Sequence, residues 1–271
     1  MRSQKEFALD TKILDAVKRL GLAGRAVEAA TLTLGDEEVQ AMQEYANTVS
    51  IKRLNFNDHG PVHVRVVALN ALIMLGLLRD AGIKTSLEQE EGNFEESLVA
   101  VFLASILHDL GMTIGRQDHE LHSAYLAYPI LDRLLRKVYA GELPKLVAVR
   151  SLALECIAGH MGTRTINSLE AGVAQVADGC DMTRGRARIP MIVGGRRPMP
   201  GDIHKLSANS IKDVRIFRGN DNPIRIEIQM SSEVGLFQVE EVFLAKIAKS
   251  TAKSYIELYA LVDNGEPKRY L

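Results

Sequence analysis

The sequence predicts a mainly α fold with a small C-terminal α+β lobe, on three observations. Apolar residues recur at helical spacing through most of the 271 residues, separated by short breaks. Tryptophan is absent and aromatics make up 5%, so Leu, Val, Ile and Ala must fill the core, which favours helix packing over a β-sandwich. Near residue 200 the helical period gives way to strict alternation.

Leu14, Val17, Leu20 and Leu22 mark a first amphipathic helix that closes around residues 21–24. Asp36 is placed to N-cap a second, with Glu37 and Glu38 in its first turn. Pro61 opens a third, running to about residue 82, at the position where its missing N–H costs nothing. The polar stretch 86–93 reads as a loop. The apolar run 98–107 that follows reads as a buried helix ending at His108-Asp109. Further helices are expected at about 118–139 and 144–159. Asn167-Ser-Leu-Glu170 then reads as a capping box opening a helix to residue 182.

Residues 194–201 form the clearest linker. Beyond it, Ile224, Ile226, Ile228 and Met230 alternate with Arg225, Glu227 and Gln229, the pattern of a half-buried strand. Its antiparallel partner is expected at 214–217, across a 219–223 turn. A final amphipathic helix over 239–261 is expected to cover one face. The chain thus divides into a helical metal-binding body, 1–200, with the helices of 1–54 packed on it, and a lobe, 201–271. So small a lobe should dock on the body or on another copy, as in a homodimer.

Hydrophobic content of 46% and 25% charge are ordinary for a globular protein, and a net charge of −1 gives no bulk attraction to nucleic acid or membrane. The longest apolar stretch, 66–78, is interrupted by Asn70 and too short to span a bilayer. Two cysteines, Cys156 and Cys180, and an opening without a secretory pattern lead to the expectation of a reducing, cytoplasmic setting.

All seven histidines lie between residues 59 and 204. The most informative pair is His108-Asp109, because a buried imidazole and carboxylate are costly unless paired or coordinated. His63 lies upstream, and His119, His122, His160 and Asp178 downstream. Neutral imidazole with carboxylate suits Mn, Fe, Co, Ni or Zn, and ligands drawn from several helices suit a site inside a bundle.

These residues give the chain a resemblance, over roughly 55–190, to the HD superfamily of metal-dependent phosphohydrolases. The matching residues are His63 in His-Val-Arg-Val-Val, the doublet in Leu-His-Asp-Leu-Gly, and Asp178 in Val-Ala-Asp-Gly-Cys-Asp-Met-Thr. The resemblance implies an HD-domain helical bundle in which His63, His108, Asp109 and Asp178 bind one metal. Asp109 would bridge to a second metal held by His160 and His119 or His122. His119, four residues before Ser123-Ala124, fits the family pattern better. The region around His160, Ala-Gly-His-Met-Gly-Thr-Arg, lacks the adjacent histidines and Gly-Tyr-Pro of the cyclic-dinucleotide branch.

The expected function is metal-dependent hydrolysis of a small-molecule phosphate ester, most reasonably a nucleotide, by water that one or two divalent ions (Mn, Fe, Co, Ni, Zn or Mg) activate. Asp109 is central to it, and His59 or His122 is a candidate proton donor to the leaving group. Arg184 and Arg186 are candidate phosphate contacts, with Arg188, Arg196 and Arg197 extending the basic cluster. Asp181, three residues after Asp178, is read as orienting an arginine, and His204 as a surface residue. A di-iron oxygenase and a non-catalytic nucleotide sensor are the competing readings of the same residues.

Overall fold

Helix α1 (Gln4–Leu20) starts on a Ser3–Glu6 capping box. It opens the computed structural model, which describes residues 2–21, 24–184, 203–263 and 265–271. Helix α2 (Arg25–Leu34) follows, an element the sequence reading leaves out. Helix α3 (Glu37–Thr48) begins where the Asp36 side chain accepts from Val39 N–H, as expected, and widens into a π turn over Val49–Arg53. The body continues through α4 (Pro61–Asp80), α5 (Ser86–Gln89), α6 (Phe94–Leu107), α7 (His119–Val138), α8 (Leu143–Gly159) and α9 (Leu169–Gly179).

Helix α6 is the axis of this body. All of its residues are buried, and α2, α4, α8 and α9 pack around it. A helix apolar on every side belongs in a core. Helix α4 and the segment Phe94–Thr113 are each long and apolar enough to cross a membrane, α4 being longer than the 66–78 run suggests. Both are mostly buried inside the fold, which fits a soluble protein.

Two local expectations are corrected around α5 and α9. Residues 86–89 are helical rather than loop, started by a Thr85–Glu88 capping box. Helix α9 is N-capped by Ser168 without a capping box and ends at Gly179 rather than at 182. Glu170, fully buried, instead accepts from the N–H groups of Ser86 and Leu87 and from Ser97 Oγ at 2.7–3.1 Å. Its carboxylate thereby supplies the start of α5 and ties it to α6.

The lobe comprises α10 (Ile203–Ser210), β1 (Ile211–Arg218), β2 (Ile224–Met230), α11, β3 (Ile256–Val262) and β4 (Lys268–Arg269). Helix α11 runs through Gly235–Phe237, a π segment Gln238–Phe243, and Leu244–Ala248. The sheet order is β1-β2-β3-β4, with β1 and β2 antiparallel in the expected pairing, Val214 opposite Ile228 and Ile216 opposite Ile226. Strand β3 lies parallel to β2, so α11 is a crossover.

The expected helix over 239–261 is therefore corrected: it stops at Ala248, and 256–262 is a strand. Ser250 Oγ and Thr251 Oγ1 donate to the carbonyls of Gly172 and Ser168, which turns the chain. Ile256, Leu258 and Ala260 then bury one alternating face; so short an apolar run is ambiguous between the two periods. The lobe docks on the body through α4 and α9, and one apolar core continues through both. The proposed 194–201 linker lies outside the described residues.

A buried arginine fixes the start of α4 against its neighbours. Arg65 Nε donates to Asp10 Oδ1 at 2.7 Å, and its Nη atoms reach Gln43, Gln40 and the Pro61 carbonyl. Gln43 in turn donates to the carbonyl of Ile106 at 2.9 Å, two residues before His108. One network thus spans α1, α3, α4 and the end of α6. Arg65→Ala removes the buried guanidinium that joins α1, α3 and α4 but leaves Asp10 paired with Arg2, so it should cost about 1–3 kcal/mol. Urea denaturation of the chelator-treated protein checks this.

Candidate metal centre

Five helix ends converge at one point inside the body. His63 stands in the first turn of α4, and His108 caps the C-terminus of α6. His119 is the first residue of α7, and His160 caps the C-terminus of α8. Asp109 follows His108 with φ −102° and ψ 7°, turning its carboxylate away from the α6 path. Asp178 lies in the last turn of α9. All six are buried.

Each imidazole is fixed by its Nδ1. His108 Nδ1 donates to the Ser105 carbonyl at 2.9 Å, His119 Nδ1 to that of Arg116 at 3.0 Å, and His160 Nδ1 to that of Ile157 at 2.7 Å. His63 Nδ1 donates to Asp181 Oδ2 at 2.7 Å. With the proton on Nδ1, the Nε2 lone pair faces inward in all four, which is how histidine is presented to a metal.

The inward atoms crowd together. His63 Nε2 lies 3.2 Å from His108 Nε2, 3.3 Å from Asp109 Oδ2 and 3.2 Å from Asp178 Oδ1. His108 Nε2 lies 3.3 and 3.6 Å from the same two oxygens. On the other side of Asp109, Oδ1 is 3.4 Å from His119 Nε2 and 3.7 Å from His160 Nε2, which are 3.2 Å from each other. Ligand atoms bound at about 2.0–2.2 Å around one ion stand about 3.0–3.6 Å apart, so these spacings fit a metal.

Electrostatics point the same way. Asp109 Oδ2 is buried without a hydrogen-bond partner among the described residues, and lone pairs facing one another repel unless a cation or proton lies between them. In the metal-free protein that proton falls to His108. Burial opposes its charge, but the Asp109 and Asp178 carboxylates raise its pKa to about 9. Burial and the neighbouring His108 push His160 well below its ordinary value, which keeps it neutral. Burial favours protonation of Asp109 and Asp178, yet the surrounding imidazoles, and Lys246 beside Asp178, hold both well below the carboxylate range. These buried His/Asp groups are able to hold a metal ion.

Gly111 explains why α7 comes so near. A Cβ there would lie 2.1 Å from the His119 carbonyl oxygen, and its own N–H donates to Ser123 Oγ at 2.7 Å. Only glycine lets the start of α7 approach the doublet.

Beside the centre lies a cavity of about 300 Å³, lined by His59, Asp109, Arg116, His160, Asp178 and Lys246 among others. His59 is buried, its Nδ1 2.6 Å from the Asn57 carbonyl and its ring 5.9 Å from that of His63. His122 belongs to none of the His/Asp groupings and does not line the cavity; three residues past His119, it stands over Gly111 instead. Arg184 is exposed, and Thr183 before it lines the cavity. Arg186, Arg188, Arg196 and Arg197 lie outside the described residues, as does the side chain of His204.

Two partners escape the sequence reading. Asp181, read as orienting an arginine, holds His63. Lys246, from α11 in the lobe, ion-pairs with Asp178 Oδ2. A lone lysine on an amphipathic helix carries no signal of such a role.

Asp109→Ala should lose bound metal, whereas His122→Ala should keep it. Asp181→Ala should lower metal affinity by about 10–100-fold, because His63 loses its orientation. Since metal must displace the proton on His108, affinity should rise with pH up to about 9 and fall as the pH drops below it. Elemental analysis and calorimetric titration across pH check all four outcomes.

The helical fold with its buried His/Asp cluster is consistent with an HD-like fold. No protein-family model matches the chain, and no solved structure matches it. Over 233 residues it is 40% identical to the uncharacterized protein MJ1020 of Methanocaldococcus jannaschii, an alignment covering 86% of this chain and 87% of that one. At that identity and coverage, the chain belongs to the same family as the uncharacterized protein MJ1020 of Methanocaldococcus jannaschii.

Proposed function

We propose that this protein is a metal-dependent phosphohydrolase of the HD type, acting on a small phosphate ester, in which His63, His108, Asp109, His119, His160 and Asp178 would hold one or two divalent ions. The observation that carries the reading is Asp109 itself. Its Oδ2 faces His63 and His108, its Oδ1 faces His119 and His160, and all of these groups are buried. Divalent ions held there would supply Lewis acidity, which would lower the pKa of water toward neutrality and offset charge on the phosphoryl oxygens.

The chain's own residues supply position and proton handling. The four Nδ1 hydrogen bonds keep every Nε2 lone pair aimed inward, so little reorganisation is needed when ligands bind. Asp178 offers Oδ1 to the His63 side and keeps Oδ2 on Lys246. His59, which lines the cavity, is the proposed proton donor to a leaving oxygen. The cavity of about 300 Å³ suits a small ester such as a mononucleotide better than a polymer.

Protein prepared without chelator should contain close to two metals per chain. It should release phosphate from a panel of esters and nucleotides under at least one of Mn, Co, Ni, Mg or Fe(II). Asp109→Asn should abolish both properties, and His59→Ala should lower kcat by about 10²–10⁴-fold while metal content stays unchanged. Two irons with oxygen-dependent turnover and no phosphate release would overturn the hydrolase in favour of an oxygenase.

A further inference from the structure

Besides His59, His160 and its carboxylates, the cavity is lined by three cations, Arg116, Lys246 and Lys249, set among neutral residues such as Gln238, Val242 and Phe243. Lys246 lies on α11 and is nearly buried, with its side chain 12% exposed, and its ammonium meets Asp178 Oδ2. Lys249, the C-cap of α11, also lines the cavity, exposed and without an ion pair among the described residues. Arg116 approaches from the loop before α7. Its guanidinium lies 3.4 Å from His119 Nε2, 3.8 Å from Met161 Sδ and 5.9 Å from the Phe56 ring centre, and none of these is a carboxylate.

A half-buried guanidinium without an acid is costly unless an anion arrives. Divalent charge at the metal centre would satisfy Asp109 and Asp178, leaving these cations with positive charge to spare. The two lysines are held in place: Gln175 Nε2 donates to the Lys246 carbonyl at 3.2 Å, and a Cβ on Gly179 would meet the Phe243 ring at 2.7 Å, so α11 sits hard against α9. The lobe therefore does more than dock.

We propose that Arg116, Lys246 and Lys249 form an anion subsite that takes the phosphoryl group of the substrate, with two of the three cations supplied by the C-terminal lobe. This deepens the phosphohydrolase reading and rests on it for the identity of the anion. Lys246 also steadies Asp178 and is thus a positioning residue for the metal centre. Arg116, whose guanidinium also lies 3.4 Å from His119 Nε2, and Lys249 pair with neither metal-centre carboxylate.

The test is calorimetric titration of inorganic phosphate into the metal-loaded full chain, with metal content measured on each sample. Arg116→Met and Lys249→Met should each weaken phosphate binding by about tenfold or more at unchanged metal content. Arg116→Lys should recover part of the loss, and Lys246→Met should lower metal content as well. Unaltered phosphate affinity in both the Arg116 and Lys249 variants, or no measurable binding by the unsubstituted protein, would overturn the subsite. Phosphate bound through these residues with no ester hydrolysed under any metal would keep the subsite and remove the hydrolase. Hydrolysis with phosphate affinity and KM unchanged in the variants would do the reverse.

Discussion

The structure turns on one carboxylate placed where a carboxylate is most expensive. Asp109 is 3% exposed at the end of a helix that is buried throughout, and one of its oxygens has no hydrogen-bond partner among the described residues. Its charge has to be met by something other than water. Four imidazoles surround it, and their protons are committed elsewhere, on backbone carbonyls or on Asp181. Much of the surrounding fold serves to keep those lone pairs and that carboxylate converged.

Helix termini perform this positioning. His108 and His160 sit just past the last turns of α6 and α8, where each Nδ1 reaches back three residues to a carbonyl. Such carbonyls lack a full set of helical partners, so the histidine satisfies the helix end and fixes its own tautomer in one bond. His119 does the same from the first residue of α7, using the carbonyl of Arg116. Farther out, the Arg65 network ties the first turn of α4 to the end of α6, so His63 and His108 are registered through Gln43 and Ile106.

The small lobe alters the picture of the site as an all-helical affair. Its sheet buries an apolar face in the same core as the body, and the α11 crossover lies along α9. That crossover puts Lys246 on the second oxygen of Asp178 and makes part of the cavity wall from residues 238–249. Metal centre and lobe are thereby joined through one carboxylate.

The sequence by itself determined the helical class, the position of the α6 core helix, the strand pairing of 214–217 with 224–230, and six candidate His and Asp ligands, because burial patterns and costly polar residues are written in residue order. The doublet was legible since an apolar run that ends in His-Asp leaves few other ways to satisfy them. Tertiary structure alone decided the rest. It set His119, which the sequence already favoured, beside Asp109, because Gly111 admits the first turn of α7. It turned 256–262 into a strand, because a short apolar run takes whichever period its neighbours can pair with, and β2 offered an edge. It brought Asp181 to His63 and Lys246 to Asp178, contacts spanning 118 and 68 residues. Long-range polar pairs leave no local period in a sequence; they exist only once packing has set the distances.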